Sequence, residues 1–292
     1  MTRIVTLGDS MTIGMGNPDG EGGYCGWSRY LAAGLPDPEV HNLAVIGAHA
    51  THIERDQLPV ALKLQPDVAS VVLGSNDVLW PGFDPWVIGQ TASRIVAALQ
   101  ASGAIVLTMQ LPDPARVFGL LPSMMARPVS RRTDAVNAEI DKVAARYETL
   151  HWKAARDPES YDRCNWSVDR MHPSDRGQRL IARRFWDLLA AAGHPVATRP
   201  DREPTSPGPT RRDDLRWIAT TGTRWFLRRS ADIVPYLLFM ALRERIAGPE
   251  RWVTVDSDWL PEIDKKREST PESLLGGLCL DVRSQPHHRT ID

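Results

Sequence analysis

Residues 4–10, "IVTLGDS", join a short apolar run directly to a glycine, an aspartate and a serine. The run over residues 4–7 contains two β-branched aliphatic residues and a threonine-leucine pair, a pattern that predicts a buried β-strand. Gly8, Asp9 and Ser10 follow where that strand would end. Because parallel α/β sheets bind their ligands beyond the carboxyl ends of their strands, this turn is a candidate for a functional site.

Short apolar runs alternate with longer helical patterns over the first 195 residues. The predicted strands are residues 4–7, 40–43, 68–73, 104–109 and 149–152. The predicted helices lie near residues 24–34, 50–63, 85–101, 130–146 and 174–192. Repeated strand-helix alternation predicts an α/β fold, in which a parallel sheet is covered by helices on both faces.

A proline-rich stretch separates this pattern from the rest of the chain. Residues 193–214, "GHPVATRPDREPTSPGPTRRDD", contain five prolines among polar residues, which is typical of a linker. We therefore expect a first domain over residues 1–195 and a linker over residues 196–214. A mostly helical C-terminal extension with a polar tail is expected over residues 215–292.

The C-terminal extension contains an apolar stretch of ten residues, 233–242, which includes Pro235. A helix that crosses a membrane needs about 20 apolar residues, so we expect no transmembrane span. The simplest interpretation is a helix that packs on the first domain or on a second copy of the chain. Contact of an amphipathic helix with a membrane surface is the alternative.

Composition excludes several classes of protein. A hydrophobic content of 42% with 24% charged residues is ordinary for a globular chain, and the net charge of -1 offers no general attraction to nucleic acid. Cys25, Cys164 and Cys279 are widely spaced and form no C-x-x-C pair, so they indicate neither a disulfide framework nor a zinc site. Only a short apolar run follows Arg3, which is too short for a signal peptide, so we expect a cytoplasmic protein.

Polar residues also follow the later predicted strands. The segment "NLAVIGAHA" (residues 42–50) contains Gly47, and "LGSND" (residues 73–77) contains Asn76 and Asp77. A further segment, "DRMHP" (residues 169–173), precedes the last predicted helix. Each segment alone is typical of an ordinary turn, so only their combination indicates chemistry.

Hydrolytic acyl transfer needs a nucleophile, a base oriented by a third group, and hydrogen-bond donors for the oxyanion. Ser10 is the candidate nucleophile, and His172 can take its proton and return it to the leaving group. Asp169 precedes His172 by three positions and can accept a hydrogen bond from the other ring nitrogen. The amides of Ser10 and Gly47 and the side chain of Asn76 are the candidate oxyanion donors.

This ordered set resembles the SGNH, or GDSL, hydrolase family, named after four residues that here are Ser10, Gly47, Asn76 and His172. The family's G-D-S, G-x-N-D and D-x-x-H blocks match residues 8–10, 74–77 and 169–172 in the right order. Its glycine block is looser here, because Ala44 stands where many members have a second glycine. The resemblance covers about residues 1–192.

The resemblance implies a flavodoxin-like three-layer α/β/α fold with a five-stranded parallel sheet, and no cofactor. It implies a serine esterase that cleaves small-molecule carboxylic esters through an acyl-Ser10 intermediate. From the residues themselves we expect Asp9 and Asp77 to support the site, Asp9 by holding its loop through backbone hydrogen bonds. Two alternatives stay open: an acyltransferase that uses the same acyl-enzyme, and an inactive binding protein on the same fold.

The substrate pocket is predicted from apolar residues near two strand ends. The loop over residues 111–128 contains Phe118 and Leu121, and the loop after Asn76 contains Trp80 and Phe83. We expect these four side chains to line an acyl-binding pocket under a mobile lid.

Other motifs favour structural interpretations. His49 and His52 are one helical turn apart but lack a third ligand, so no metal site is predicted. The G-x-S-x-G motif, which forms the nucleophile elbow of α/β-hydrolases, is not matched, because Thr12 stands where its second glycine is required. Arg131 and Arg132 lie on a predicted helix and are interpreted as a solvated face.

Overall fold

A parallel β-sheet forms the centre of the protein. The structure, a computed structural model, describes residues 1–119, 122–204, 212, 235–246 and 248. Those residues all belong to one compact unit.

The strands of this sheet are β1 (Thr2–Leu7), β2 (Pro38–Asn42), β3 (Val68–Val71), β4 (Ile105–Met109) and β5 (Leu150–Trp152). Their order across the sheet is β2-β1-β3-β4-β5, and every neighbouring pair is parallel. The predicted α/β fold with a five-stranded parallel sheet is therefore confirmed.

The helices are α1 (Ser10–Ile13), α2 (Trp27–Ala33), α3 (Ala50–His52), α4 (Leu58–Leu64), α5 (Pro85–Ala101), α6 (Pro114–Phe118), α7 (Ser123–Tyr147), α8 (Asp175–Ala191) and α9 (residues 235–246). Helix α5 has the predicted bounds, because the Asp84 side chain caps its first turn and Pro85 begins it. Short 3-10 turns occur at Asp77–Leu79, Ala154–Arg156, Pro158–Tyr161 and Arg163–Asn165.

Both faces of the sheet are buried, as alternation along β1 illustrates. Val5 and Leu7 face a core cluster that includes residues of α5 and α7, and Ile4 faces a second cluster with residues of α2 and α8. In the second cluster, the rings of Trp27 and Phe185 pack edge to face at 5.0 Å between centroids. The three-layer arrangement follows from these two cores.

Helix α7 begins seven positions before the predicted start at residue 130, so much of the predicted loop over residues 111–128 is helical. Pro128 lies inside α7, where its missing N–H removes one helical hydrogen bond. Pro128 and Val129 are nevertheless buried, and Val129 is 2% exposed. Burial of these residues against the core therefore outweighs the tendency of Pro128 to end a helix.

A π-helical turn, Ile53–Gln57, interrupts the helix that was predicted over residues 50–63. Its last residue, Gln57, is 4% exposed and forms two hydrogen bonds with Gly8 at the end of β1. The Gln57 Oε1 accepts from the Gly8 amide at 2.9 Å, and its Nε2 donates to the Gly8 carbonyl at 2.9 Å. The Gln57 side chain thus holds the backbone at the end of β1 from both its amide and its carbonyl.

The strand register brings the polar turns to one edge of the sheet. Leu7 of β1 lies opposite Val71 of β3, and Thr6 lies opposite Asn42 of β2. The segments that follow these strands, residues 8–10, 43–50 and 72–77, therefore leave the sheet side by side.

Residues beyond α8 pack on the same unit. The Ala197 amide donates to the Gly34 carbonyl at 2.8 Å, and Arg183 donates to the Pro200 carbonyl at 2.7 Å. Leu237 of α9 is 5% exposed in the core cluster with α5 and α7. The proposed division into a domain, a linker and an extension stays a prediction, and most of residues 205–292 lie outside the described residues.

In the described ranges, we find no helix with both the length and the apolar character that crossing a membrane requires.

Substituting Gln57 with alanine tests the role of the π-helical turn. The Gly8 amide then loses its buried acceptor, so we expect the free energy of unfolding, measured in urea, to fall by about 2 kcal/mol. Gln90→Ala on the exposed face of α5 is the matched control and should change it far less. Equal losses in the two variants would contradict this role.

Candidate active site

Ser10 is presented by a tight turn at the end of β1. The Asp9 side chain accepts from the Met11 amide at 2.9 Å and caps α1, of which Ser10 is the first residue. Gly8 is required here, because an added Cβ would lie 2.3 Å from the Thr12 hydroxyl oxygen and 2.9 Å from the Val72 carbonyl oxygen. The conformation of this turn therefore depends on Gly8 and Asp9.

Ser10, His172 and Asp169 form a continuous hydrogen-bonded chain. The Ser10 Oγ lies 2.9 Å from the His172 Nε2, and the His172 Nδ1 lies 2.7 Å from the Asp169 Oδ2. His172 is 9% exposed, while Ser10 is only partly buried. The chain thus leads from a hydroxyl with access to solvent to a carboxylate that is largely shielded from it.

Asp169 accepts several further hydrogen bonds through its Oδ1. The donors are the Ser167 hydroxyl at 2.6 Å and the amides of Met171 and His172 at 2.8 and 3.0 Å. Burial alone would raise the pKa of Asp169, but the hydrogen bond and charge of His172, with the bonds from Ser167 and Met171, lower it to about 2. The carboxylate is consequently ionised at neutral pH.

Asp9 joins the turn after β1 to the segment after β3. Its Oδ2 accepts from the Ser75 hydroxyl and from the Asn76 Nδ2, the latter at 3.2 Å. Asp9 is 1% exposed, and this burial raises the pKa of its carboxyl against the lowering effect of the bonds from Ser75 and Met11. The expected supporting residue is therefore a buried bridge between two strand ends.

Asn76 and Asp77 join the same segment to residues 48–50. The Asn76 Nδ2 donates to the Ala48 carbonyl at 3.0 Å, and both carboxylate oxygens of Asp77 accept from the Ala50 amide at 3.2 and 3.3 Å. Asp9, Asn76 and Asp77 thereby connect the turns that follow β1, β2 and β3.

Two backbone amides remain available near these turns. Gly47 has a φ of +77°, a left-handed conformation that favours glycine. Within the described part of the chain, we find no acceptor for the amide of Gly47 or that of Ser10. The Asn76 amide nitrogen, by contrast, already donates to Ala48 and Asp9.

Several supporting residues carry no recognisable signal in the sequence. Gly16 has a φ of +100°, and an added Cβ would lie 2.9 Å from the His172 Cβ and 2.7 Å from the Pro173 carbonyl oxygen. Ser75 occupies the variable position of G-x-N-D, and Ser167 lies two residues before Asp169. Their roles depend on contacts between distant segments, which a local pattern does not contain.

The predicted pocket residues have different environments. The Trp80 ring packs against the His49 ring with 4.8 Å between centroids, and Trp80 is partly exposed. Phe83 is 3% exposed in the core cluster, so its position favours a structural role over contact with a substrate. The Phe118 carbonyl accepts from Arg170 at 3.3 Å, beside the loop of His172, while Leu121 lies outside the described residues.

Arg132 corrects the interpretation of residues 131–132 as a solvated face. The Arg132 Nη1 donates to the carbonyls of Val78 and Trp80, both at 3.0 Å. The guanidinium also lies over the Phe83 ring, 4.7 Å from its centroid. Periodicity alone missed this contact because the partners are backbone carbonyls on another segment.

His49 and His52 pack edge to face, 5.4 Å apart between centroids, and the His49 amide donates to the His52 Nδ1 at 3.4 Å. The described residues contain no group of three side chains that could hold a metal ion. The His52 side chain thus accepts from the amide of His49, the residue that precedes helix α3.

Comparison with solved structures identifies the fold. The chain is similar to a lipase/acylhydrolase from Enterococcus faecalis, with 17% identity, a TM-score of 0.53, and coverage of 66% of this chain and 97% of that one. The esterase EstA from Pseudoalteromonas sp. has 19% identity and a TM-score of 0.51, with coverage of 66% and 98%. The acetylxylan esterase Axe2 from Geobacillus stearothermophilus has 18% identity and a TM-score of 0.51, with coverage of 64% and 94%.

Comparison with family models identifies the family. None of the curated proteins compared matches this chain. The model of the GDSL-like lipase/acylhydrolase family matches residues 6–180, which is more than half of the 292 residues and includes all the site residues discussed above. This chain therefore belongs to the GDSL-like lipase/acylhydrolase family.

Proposed function

We propose that this protein is a serine esterase that cleaves carboxylic esters through an acyl-Ser10 intermediate. The observation that carries the proposal is the chain of hydrogen bonds from Ser10 through His172 to Asp169, at 2.9 and 2.7 Å. These distances lie within the range that a nucleophile, its base and the orienting carboxylate require. Membership of an acylhydrolase family supports the same reaction class.

The ionised Asp169 determines the proposed protonation of His172. A carboxylate can only accept, so the proton is assigned to the His172 Nδ1, and Nε2 is left free to take the proton of Ser10. The Ser10 Oγ then attacks the ester carbonyl carbon, and the imidazolium that forms is stabilised by Asp169. Collapse of the tetrahedral intermediate returns the proton to the departing alcohol, and water repeats the sequence to release the acid.

The oxyanion is assigned to the amides of Ser10 and Gly47 and to the Asn76 side chain. The two backbone amides are favoured because they have no other acceptor within the described part of the chain. Asn76 can contribute if the oxyanion replaces its longer bond, the 3.2 Å contact with Asp9. Asp9 would then still accept from Ser75 and Met11.

Removing the Ser10 hydroxyl tests the nucleophile. Ser10→Ala should lower kcat for an aryl acetate by about a thousandfold or more, because no covalent intermediate can form. It should also prevent a phosphonate ester from adding its mass to the protein, as measured by mass spectrometry. Ser102→Ala, an exposed serine before β4, is the control and should keep both properties. Turnover that survives in Ser10→Ala, or intact protein with neither turnover nor an adduct, would refute the proposal.

The charge on Asp169 predicts a pH-dependent contribution to stability. Its folded pKa of about 2 lies below the ordinary value of 3.8, so this contribution is present above about pH 4 and is lost as the pH falls towards 2. The unfolding free energy of wild type relative to Asp169→Asn should fall by about 2 kcal/mol between pH 5 and pH 2 in urea titrations. The exposed Asp162→Asn should give no such change, and a constant difference for Asp169→Asn would contradict the lowered pKa of Asp169.

The acyl pocket is assigned in part to Phe118, whose backbone contacts Arg170 beside the His172 loop. Phe118→Ala should raise KM for octanoyl esters about fivefold more than for acetyl esters, since only the longer chain loses apolar contact. Phe118→Leu retains apolar volume and should show a smaller difference between the two esters. Equal changes in KM for both esters would argue against the pocket.

A further inference from the structure

Helix α9 is docked on the unit that carries the candidate site. Leu237 and Met240 are 5% and 6% exposed, and they belong to the core cluster that includes Ile88 of α5 and Val136 of α7. At the outer side of this contact, Arg131 of α7 forms an ion pair with Glu244. Apolar burial and a charged contact therefore fix α9 against α7.

Through Tyr236, this helix reaches the segment that follows Asn76. The Tyr236 hydroxyl donates to the Trp80 carbonyl at 3.0 Å, and the Arg132 Nη1 donates to the same oxygen at 3.0 Å. The Phe83 amide also donates to this oxygen, at 3.2 Å, so Tyr236 is the one of its three donors in the described residues that comes from α9. The guanidinium of Arg132 also lies over the Tyr236 ring, 5.6 Å from its centroid.

The Tyr236 hydroxyl keeps its proton at neutral pH and can therefore act as a hydrogen-bond donor. Burial raises the pKa of this phenol, against the opposing effect of the neighbouring Arg132. The group is therefore protonated across the neutral range and keeps its hydrogen for the Trp80 carbonyl.

Trp80 in turn contacts the segment that carries Gly47. Its ring packs on His49 with 4.8 Å between centroids. On either side of His49, the Ala48 carbonyl is bound by Asn76 and the Ala50 amide by Asp77. The chain of contacts runs from α9 through Trp80 to the residues directly after Gly47.

This contact is contributed by a part of the chain that the family match does not include. The match ends at residue 180, and the solved structures described above cover 64 to 66% of this chain. Helix α9 begins at residue 235. The support of Trp80 by Tyr236 is thus an addition to the matched region.

We propose that Tyr236 is a positioning residue of the active site, which holds the Trp80 carbonyl together with Arg132 and so keeps Trp80 and the Gly47–His49 segment in place. The inference rests on the proposed esterase function, because the segment that Tyr236 would keep in place contains Gly47, whose amide is a proposed donor to the oxyanion. Tyr236 touches none of the reacting atoms, and its effect is exerted through Trp80 and His49.

The test removes one hydroxyl and keeps the ring. Tyr236→Phe loses the bond to Trp80 but keeps the packing, and Tyr147→Phe is the matched control. The Tyr147 hydroxyl lies 2.9 Å from Ser93 Oγ and joins α7 to α5 at the opposite end of α7. Both variants and wild type are compared by steady-state kinetics with an aryl acetate and by hydrogen–deuterium exchange of residues 46–50 and 77–80.

We expect Tyr236→Phe to lower kcat by about three- to tenfold with little change in KM, because displaced oxyanion donors weaken binding of the transition state more than that of the ester. Amide exchange in the two segments should rise in the same variant. Tyr147→Phe should match wild type in both measurements.

Three results would overturn the inference or separate it from the proposed function. Kinetics and exchange that match those of Tyr147→Phe would overturn it. A raised KM with unchanged kcat would also overturn it, since the hydroxyl would then serve substrate binding alone. If wild type turned over no ester, the proposed function would fail, and the exchange of residues 46–50 and 77–80 would decide the positioning role by itself.

Discussion

The buried carboxylate of Asp9 is the interaction on which the site depends. It accepts from Met11 within its own turn and from Ser75 and Asn76 on the neighbouring strand end. Asp9 is 1% exposed, and a carboxylate buried in this way is unfavourable unless it is hydrogen-bonded. Moving any of its donors away would therefore cost free energy. The geometry of Ser10 is consequently tied to that of Asn76.

Parallel pairing supplies the frame for this interaction. Because β1 lies between β2 and β3, the turns that follow these three strands emerge together, and short polar side chains can connect them. Gln57, the last residue of the π-helical turn, adds two hydrogen bonds between its side-chain amide and the backbone of Gly8. Contacts between these backbone segments therefore fix the positions of the candidate site residues.

Much of the fold was predictable because its signals are local. The apolar run before Gly8 and the Asp84-Pro85 start of α5 contain their own periodicity and caps, and the structure agrees with both. The start of α7 was mispredicted because burial of Pro128 and Val129 outweighs the effect of proline on the helix. The contacts of Gly16, Ser75 and Arg132 could not be predicted, since each depends on a partner brought close only by the completed fold.

The hydrogen bond between Ser10 and His172 joins two distant parts of the chain. The two residues are 162 positions apart in the chain, and Ser10 leaves the ribosome long before its partner. No fragment that ends before residue 172 can contain the complete hydrogen-bonded chain, however well its first strands are formed. Every shorter nascent chain therefore lacks the base that the proposed mechanism pairs with Ser10, and the proposed reactivity would arise only in chains that extend past residue 172.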